Sequence, residues 1–202
     1  MESPWRSFVP HHVLSDIYRH PRRSPIGREQ RMAVVALFAD VSGFTAVSEA
    51  LARTGKHSAE ELTAILNRYF EPMIALVESY GGIIGKFGGD AMTILFPFDA
   101  ARVDATVRRA IQCAAEMQGR MGDYVDMPTS VGAFSLAMKA GLAMGEVLCT
   151  TVGDLAARLE YIIAGHVLDA CAEAEHHAGK GEVVVHNDLL AFAADALVGM
   201  ST

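Results

Sequence analysis

The chain has few of the features that mark a secreted, membrane-embedded or nucleic-acid-binding protein. Only three cysteines, Cys113, Cys149 and Cys171, occur in 202 residues. They have no short metal spacing and sit in apolar or helical surroundings, which predicts reduced, small buried side chains in a cytoplasmic protein rather than nucleophiles. No apolar run approaches the ~18 residues of a membrane span, and Met1–Trp5 lacks the apolar stretch of a signal peptide. Positive charge is in deficit, 17 Lys+Arg against 24 Asp+Glu, for a net charge of −7. That is the wrong sign for non-specific nucleic-acid binding. Internal repeats and low-complexity tracts are absent too. What the chain does have is 51% hydrophobic residues, enough for one globular domain with a sizeable core.

The basic residues are uneven. Arg6, Arg19, Arg22, Arg23, Arg28 and Arg31 crowd the first 31 positions, and residues 1–31 read as a solvated basic arm. Within it Val13, Leu14, Ile17 and Tyr18 could share one side of two helical turns, and Pro21, Pro25 and Gly27 punctuate a linker. Residues 32–202 read as the folded domain. The last residues, Leu197–Thr202, form no obvious terminal element, so the chain is expected to be part of a longer polypeptide.

Met32–Ala39 is continuously apolar and predicts a strand buried on both faces. Thr45–Leu51 reads as a short helix, with a polar loop after it from Arg53 to His57. Ser58 and Glu61 form a capping box ahead of Leu62, Ile65, Leu66, Tyr69, Phe70, Met73, Ile74 and Val77 at helical spacing. Pro72 should kink or split that helix, and Gly81-Gly82 ends it. A hairpin with a Gly88-Gly89 turn is predicted between Ile83–Phe87 and Asp90–Phe96. A helix follows Asp99, then a loop over 122–132. Phe134–Leu142 and Glu146–Thr150 read as two strands around Gly145. Leu159–Ala164 reads as a strand, Val167–His177 as a helix and Glu182–His186 as a last strand. Met117, Met121, Met138 and Met144 read as core filler, and His11-His12 and His176-His177 as surface pairs. The interleaving predicts an α+β or α/β domain with a mixed sheet.

Two carboxylates stand out. Asp40 closes the first apolar run just before Val41-Ser42-Gly43-Phe44-Thr45, where a glycine turn meets a helix start. Asp90 follows Gly88-Gly89. A hairpin tip beside the end of the first strand would put the two together, as a two-metal site acting on phosphates requires. Either Asp alone has an ordinary explanation, as a helix cap or as a turn residue.

Phe38-Ala-Asp-Val-Ser-Gly-Phe-Thr45 and Lys86-Phe-Gly-Gly-Asp90 resemble the two metal-binding motifs of class III nucleotidyl cyclases. The likeness is nearest to the first catalytic domain of the soluble, bicarbonate-responsive adenylyl cyclases and their bacterial relatives. It runs from about Phe8 to Val185, and Gly145, Gly153, Arg158, Tyr161 and Gly165 match the later part of the family in spacing. The resemblance implies a ferredoxin-like core of mixed or antiparallel sheet with flanking helices. It implies a pseudo-symmetric dimer with active sites shared between two domains, and ATP as substrate with two Mg²⁺ or Mn²⁺ ions. Asp40, Asp90 and the Val41 main chain would hold the metals. The amides of Ser42, Gly43, Phe44 and Thr45 would hold phosphate oxygens, and Lys86 would read the purine.

The same resemblance exposes departures. After the glycine matched by Gly165 the family's complementary half has an Asn four residues on and an Arg eight residues on. This chain has Asp169 and Glu173. The base-reading position three before Gly165 is Ile162, and the Arg of a bicarbonate site is replaced by Ala172. The chain therefore reads as the metal-bearing half of an adenylate cyclase, weak or inactive alone. It would need a second cyclase domain, in cis or in trans, for the transition-state Arg and the ribose Asn. The alternative is a catalytically silent cyclase-like domain that binds nucleotide or regulates a partner. A diguanylate cyclase, which shares the Gly-Gly-Asp hairpin, calls for Glu-Phe where Ala91-Met92 stand.

Overall fold

The computed structural model describes residues 18–53, 58–154 and 157–192. The proposed helical turns around Val13, the residues of the loop at 54–57, His11-His12 and the last ten residues lie outside them. The long apolar run becomes the central strand β1 (Glu29–Ser42). It pairs antiparallel with β3 (Ala91–Pro97) on one side and with β6 (Ala137–Gly153) on the other. β2 (Ile83–Gly88) flanks β3 and β7 (Leu159–Ala164) flanks β6, giving the order β2-β3-β1-β6-β7, while β8 (Val183–Val185) pairs parallel to β6. A separate ribbon joins β4 (Met127–Thr129) to β5 (Gly132–Phe134). The α-helices that accompany these strands are α1 (Phe44–Ala52), α2 (Ser58–Ser79), α3 (Val103–Arg120) and α4 (His166–His177).

Alternation along β1 explains both layers. Val35, Leu37, Ala39 and Val41 face a core with Tyr69, Met73 and Val77 of α2 and Val107, Ile111 and Met117 of α3. Val34 and Ala36 face the opposite side with Val147, Cys149, and Val167 and Cys171 of α4. Helices α1–α3 thus cover one face and α4 the other, an α+β sandwich with flanking helices. Burial on both faces is why the run carries no polar alternation until Asp40.

Several expectations are corrected. Glu29–Arg31 already belong to β1, and the Gly27 N–H donates to the Thr151 carbonyl at 2.8 Å, tying the end of the basic segment to β6. Pro72 does not split α2, which runs unbroken over 22 residues. The Arg68 carbonyl, which lies four residues before Pro72 and cannot receive an N–H from it, accepts a bond from the Tyr124 hydroxyl at 3.2 Å. Glu61, the acidic member of the expected capping box, accepts bonds from the N–H and hydroxyl of Ser130 in the β4–β5 turn. The loop over 122–132 contains a 3₁₀ turn (Met121–Tyr124) and the start of that ribbon. The two strands around Gly145 are one 17-residue strand, because Gly145 stays in register opposite Val34 and only leaves room for Val167. The C-terminus of α2 follows expectation. Gly81 takes φ +77°, and the N–H groups of Gly81 and Gly82 reach back to Glu78 and Val77, both at 2.9 Å, as a Schellman motif requires.

Candidate active site

The register of β1 and β3 ends at the pair Ala39–Met92, so Asp40 and Asp90 lie one and two residues beyond it on adjacent chain segments. The glycine turn is shifted by one from expectation: Gly88 pairs with Ala91, and the two turn residues are Gly89 and Asp90. Gly89 has φ +71°, the sign a type II′ hairpin needs at its first turn position. Asp90 is therefore presented by the turn itself. The Asp90 charge is felt at Asp40. Burial raises the Asp40 pKa, and the negative charges of Glu175 and Asp90 raise it further, against a smaller lowering by Lys139. A carboxylate in that setting is short of positive charge.

Val41 is fully buried and opposes Met138. The Ser42 hydroxyl donates to the Ala137 carbonyl at 3.3 Å. Gly43 then turns the chain with φ +115° into α1, and a side chain there would collide with the Ser135 carbonyl. The first turn of α1 closes with Val47 N–H to Gly43 O at 3.1 Å, so the amides of Phe44, Thr45 and Ala46 precede the first intrahelical bond. Phe44 anchors this end by stacking on Phe70 at 6.3 Å and meeting Tyr69 edge-on at 5.6 Å. Thr45 is exposed.

Lys86 is exposed on edge strand β2 opposite Thr93, just past a bulge at Gly85. It shares the hairpin of Asp90 but makes no ion pair with either Asp among the described residues. Ile162 is 39% exposed on β7. Asp169 lies in the first turn of α4, its carboxylate 3.6 Å from His166 Nδ1 in a strongly exposed pair, and Glu173 is exposed one turn on. The structure thus gathers Asp40, Asp90 and the α1 N-terminus at one end. Asp169 and Glu173 lie further back along α4.

Two neighbours of Asp40 escape sequence reasoning. Lys139 is its direct partner across β6, with Nζ 3.9 Å from Asp40 Oδ2 and 2.6 Å from Glu175 Oε1. The bond to Glu175 raises the Lys139 pKa. A lone charge between Met138 and Ala140 in an apolar strand was the available signal, but its partner depends on register. Among the described residues no group of three or more His, Cys, Asp or Glu side chains has metal-binding geometry. Asp40 and Asp90 nevertheless supply the hard oxygen donors that suit Mg²⁺ or Mn²⁺, and the raised Asp40 pKa marks a charge demand that a cation meets.

Residues 26–196 match the family described as the adenylate and guanylate cyclase catalytic domain. The chain belongs to that family. It is 30% identical over 153 residues to adenylate cyclase type 10 of Oryctolagus cuniculus, an alignment covering 75% of this chain and 9% of that protein. The chain thus spans about a tenth of that relative's length. Among solved structures, the guanylyl cyclase Cya2 superposes with a TM-score of 0.65 at 28% identity over 81% of this chain and 79% of that one. The adenylyl cyclase CyaB from P. aeruginosa gives 0.65 at 23% over 83% of each. Among the described residues no helix is long and apolar enough to cross a membrane.

Proposed function

We propose that this chain is the metal-bearing half of an adenylate cyclase, converting ATP to 3′,5′-cyclic AMP and pyrophosphate together with a complementary cyclase domain. The observation that carries the reading is the meeting of Asp40 and Asp90 near the N-terminus of α1, with the Asp40 pKa raised by burial and by its acidic neighbours. Asp40, Asp90 and the Val41 main chain would hold divalent cations. When bound, two Mg²⁺ or Mn²⁺ ions supply activation of the ribose 3′-hydroxyl and charge neutralisation on the leaving pyrophosphate. The amides at Ser42–Thr45 bind terminal phosphate oxygens, aided by the positive end of α1. Lys86, exposed on the same hairpin as Asp90, contacts the purine. The adenylate cyclase relative supports ATP as the substrate.

The complementary domain supplies the groups that the chain lacks at Ile162, Asp169 and Glu173. Carboxylates at Asp169 and Glu173 repel a triphosphate, so two copies of this chain make a poor pair. Those same carboxylates favour the second reading, a silent domain that binds nucleotide and regulates its partner.

The test is complementation. The chain is mixed with a cyclase domain that retains its Asn and Arg but has lost its own metal-binding Asp pair, and cyclic AMP is measured from ATP with Mg²⁺ or Mn²⁺. Product from the mixture alone supports the catalytic reading. ATP binding without product in any pairing supports the regulatory one.

A further inference from the structure

The Lys139 ammonium group stands between carboxylates from two different elements. Pairing of β1 with β6 puts Asp40 and Lys139 opposite each other, and Glu175 comes down onto them from the C-terminal end of α4. It can do so because Gly141, two residues along β6, has no side chain. A Cβ there would run into the Glu175 amide nitrogen and the Cys171 carbonyl. The Cys171 thiol instead donates to the Gly141 carbonyl at 3.1 Å, sealing the contact. Glu175 is 16% exposed, Lys139 29% and Asp40 37%. A 2.6 Å ion pair with one partner largely out of solvent differs from the loose surface pairs that contribute little.

We infer that Glu175 is a positioning residue for the divalent-cation site, holding the Lys139 ammonium group off Asp40 and keeping that carboxylate open to an incoming cation. The inference rests on the assignment of Asp40 and Asp90 as metal-binding. Lys139 spends its short contact on Glu175 and stays 3.9 Å from Asp40. Without the Glu175 charge, Lys139 has Asp40 as its nearest carboxylate partner and competes there with a divalent ion. The cluster also loses one negative charge. Both changes weaken metal binding. Loss of the Lys139 charge acts in the opposite direction, and in its absence Glu175 has no ammonium group left to restrain.

The experiment is a Mn²⁺ titration of the purified chain, followed by the electron paramagnetic resonance signal of free Mn²⁺, with no turnover needed. Glu175→Gln, which preserves shape, is expected to weaken binding about tenfold, the usual scale for a group that supports a metal ligand. Lys139→Met is expected to tighten it, and in that background Glu175→Gln should cost clearly less than in the wild type. Unchanged affinity in Glu175→Gln overturns the inference, as does an equal loss in both backgrounds. Lys139→Met provides an independent arm should Glu175→Gln fold poorly: weaker binding in it also overturns the inference. Asp40→Asn separates the two levels. If that variant binds Mn²⁺ as well as wild type does, or wild type binds none at millimolar concentration, the metal assignment falls and takes the inference with it.

Discussion

Two sides of α4 lie in opposite electrostatic settings. On one side Glu175 joins Lys139 and Asp40 in a partly buried cluster, and Asp90 is near enough to raise the Asp40 pKa. On the other side, one turn apart, Asp169 and Glu173 face solvent, with Asp169 in an exposed contact to His166. The helix has 12 residues and is about 18 Å long at 1.5 Å per residue, so both settings belong to one rigid element. Carboxylates on the first side are gathered around the Lys139 ammonium group. Those on the second have no such organisation, and by the family resemblance they stand where a complementary domain has an amide and a guanidinium group. The contrast argues for a domain that keeps one half of a shared site and leaves the other to its partner.

That contrast can be broken most severely at the proposed metal site. In a complemented pair, Asp40→Asn or Asp90→Asn is expected to lower cyclic AMP formation by about 10²–10³-fold, the scale of losing one group that manages transition-state charge. Charge-removing substitutions on the other side, Asp169→Asn and Glu173→Gln, should leave the activity of that pair within a few-fold of wild type, because the proposed partner supplies this half. Rate assays of the four variants against wild type check both statements.

Packing beneath the cluster comes next. Gly141→Ala puts a methyl group against α4 backbone that has no room for it. It is expected to cost about 1–3 kcal/mol, seen as a melting temperature lower by several degrees and as weaker Mn²⁺ binding. A smaller effect concerns pH. The folded-state pKa of Asp40 is raised, so the native chain binds its proton more readily than the unfolded chain does. Ionising Asp40 therefore opposes folding, and this penalty grows as pH rises from the ordinary carboxylate range through the elevated pKa. Asp40→Asn should melt slightly above wild type at neutral pH without metal, and the gain should vanish below the ordinary carboxylate range. Smallest of all, Asp169→Asn is exposed and should change stability by no more than about 0.5 kcal/mol, measured by urea unfolding.

The strands and helices that bury a continuous apolar face were legible in the sequence. Met32–Ala39 followed from its unbroken apolar run. The long helix followed from Leu62, Ile65, Tyr69 and Met73, which recur on one face, and Leu159–Ala164 is the strand that its composition predicts. The conjunction of Asp40 with Asp90 was legible too, because a glycine turn beside a carboxylate could be matched to a strand that ends in one. The features that stayed hidden depend on tertiary partners. Pro72 stays inside a helix where the Tyr124 hydroxyl takes up the Arg68 carbonyl. Gly145 looked like a turn and is a place for Val167 to pack. Glu61 also holds Ser130, 69 residues away in sequence. Lys139 and Glu175 are far apart in sequence and meet only through the strand register and the missing side chain at Gly141.

A mixture of two forms of this chain tests the shared-site reading most directly. One is wild type. The other carries Ile162→Asp, Asp169→Asn and Glu173→Arg, together with Asp40→Asn to remove its own metal site. Only the mixed pair then has the metal half from one copy and the arginine half from the other. Cyclic AMP is expected from ATP in the mixture, with little or none from either form alone. Wild type that forms cyclic AMP by itself as fast as the mixture does would contradict the division of the site between two domains.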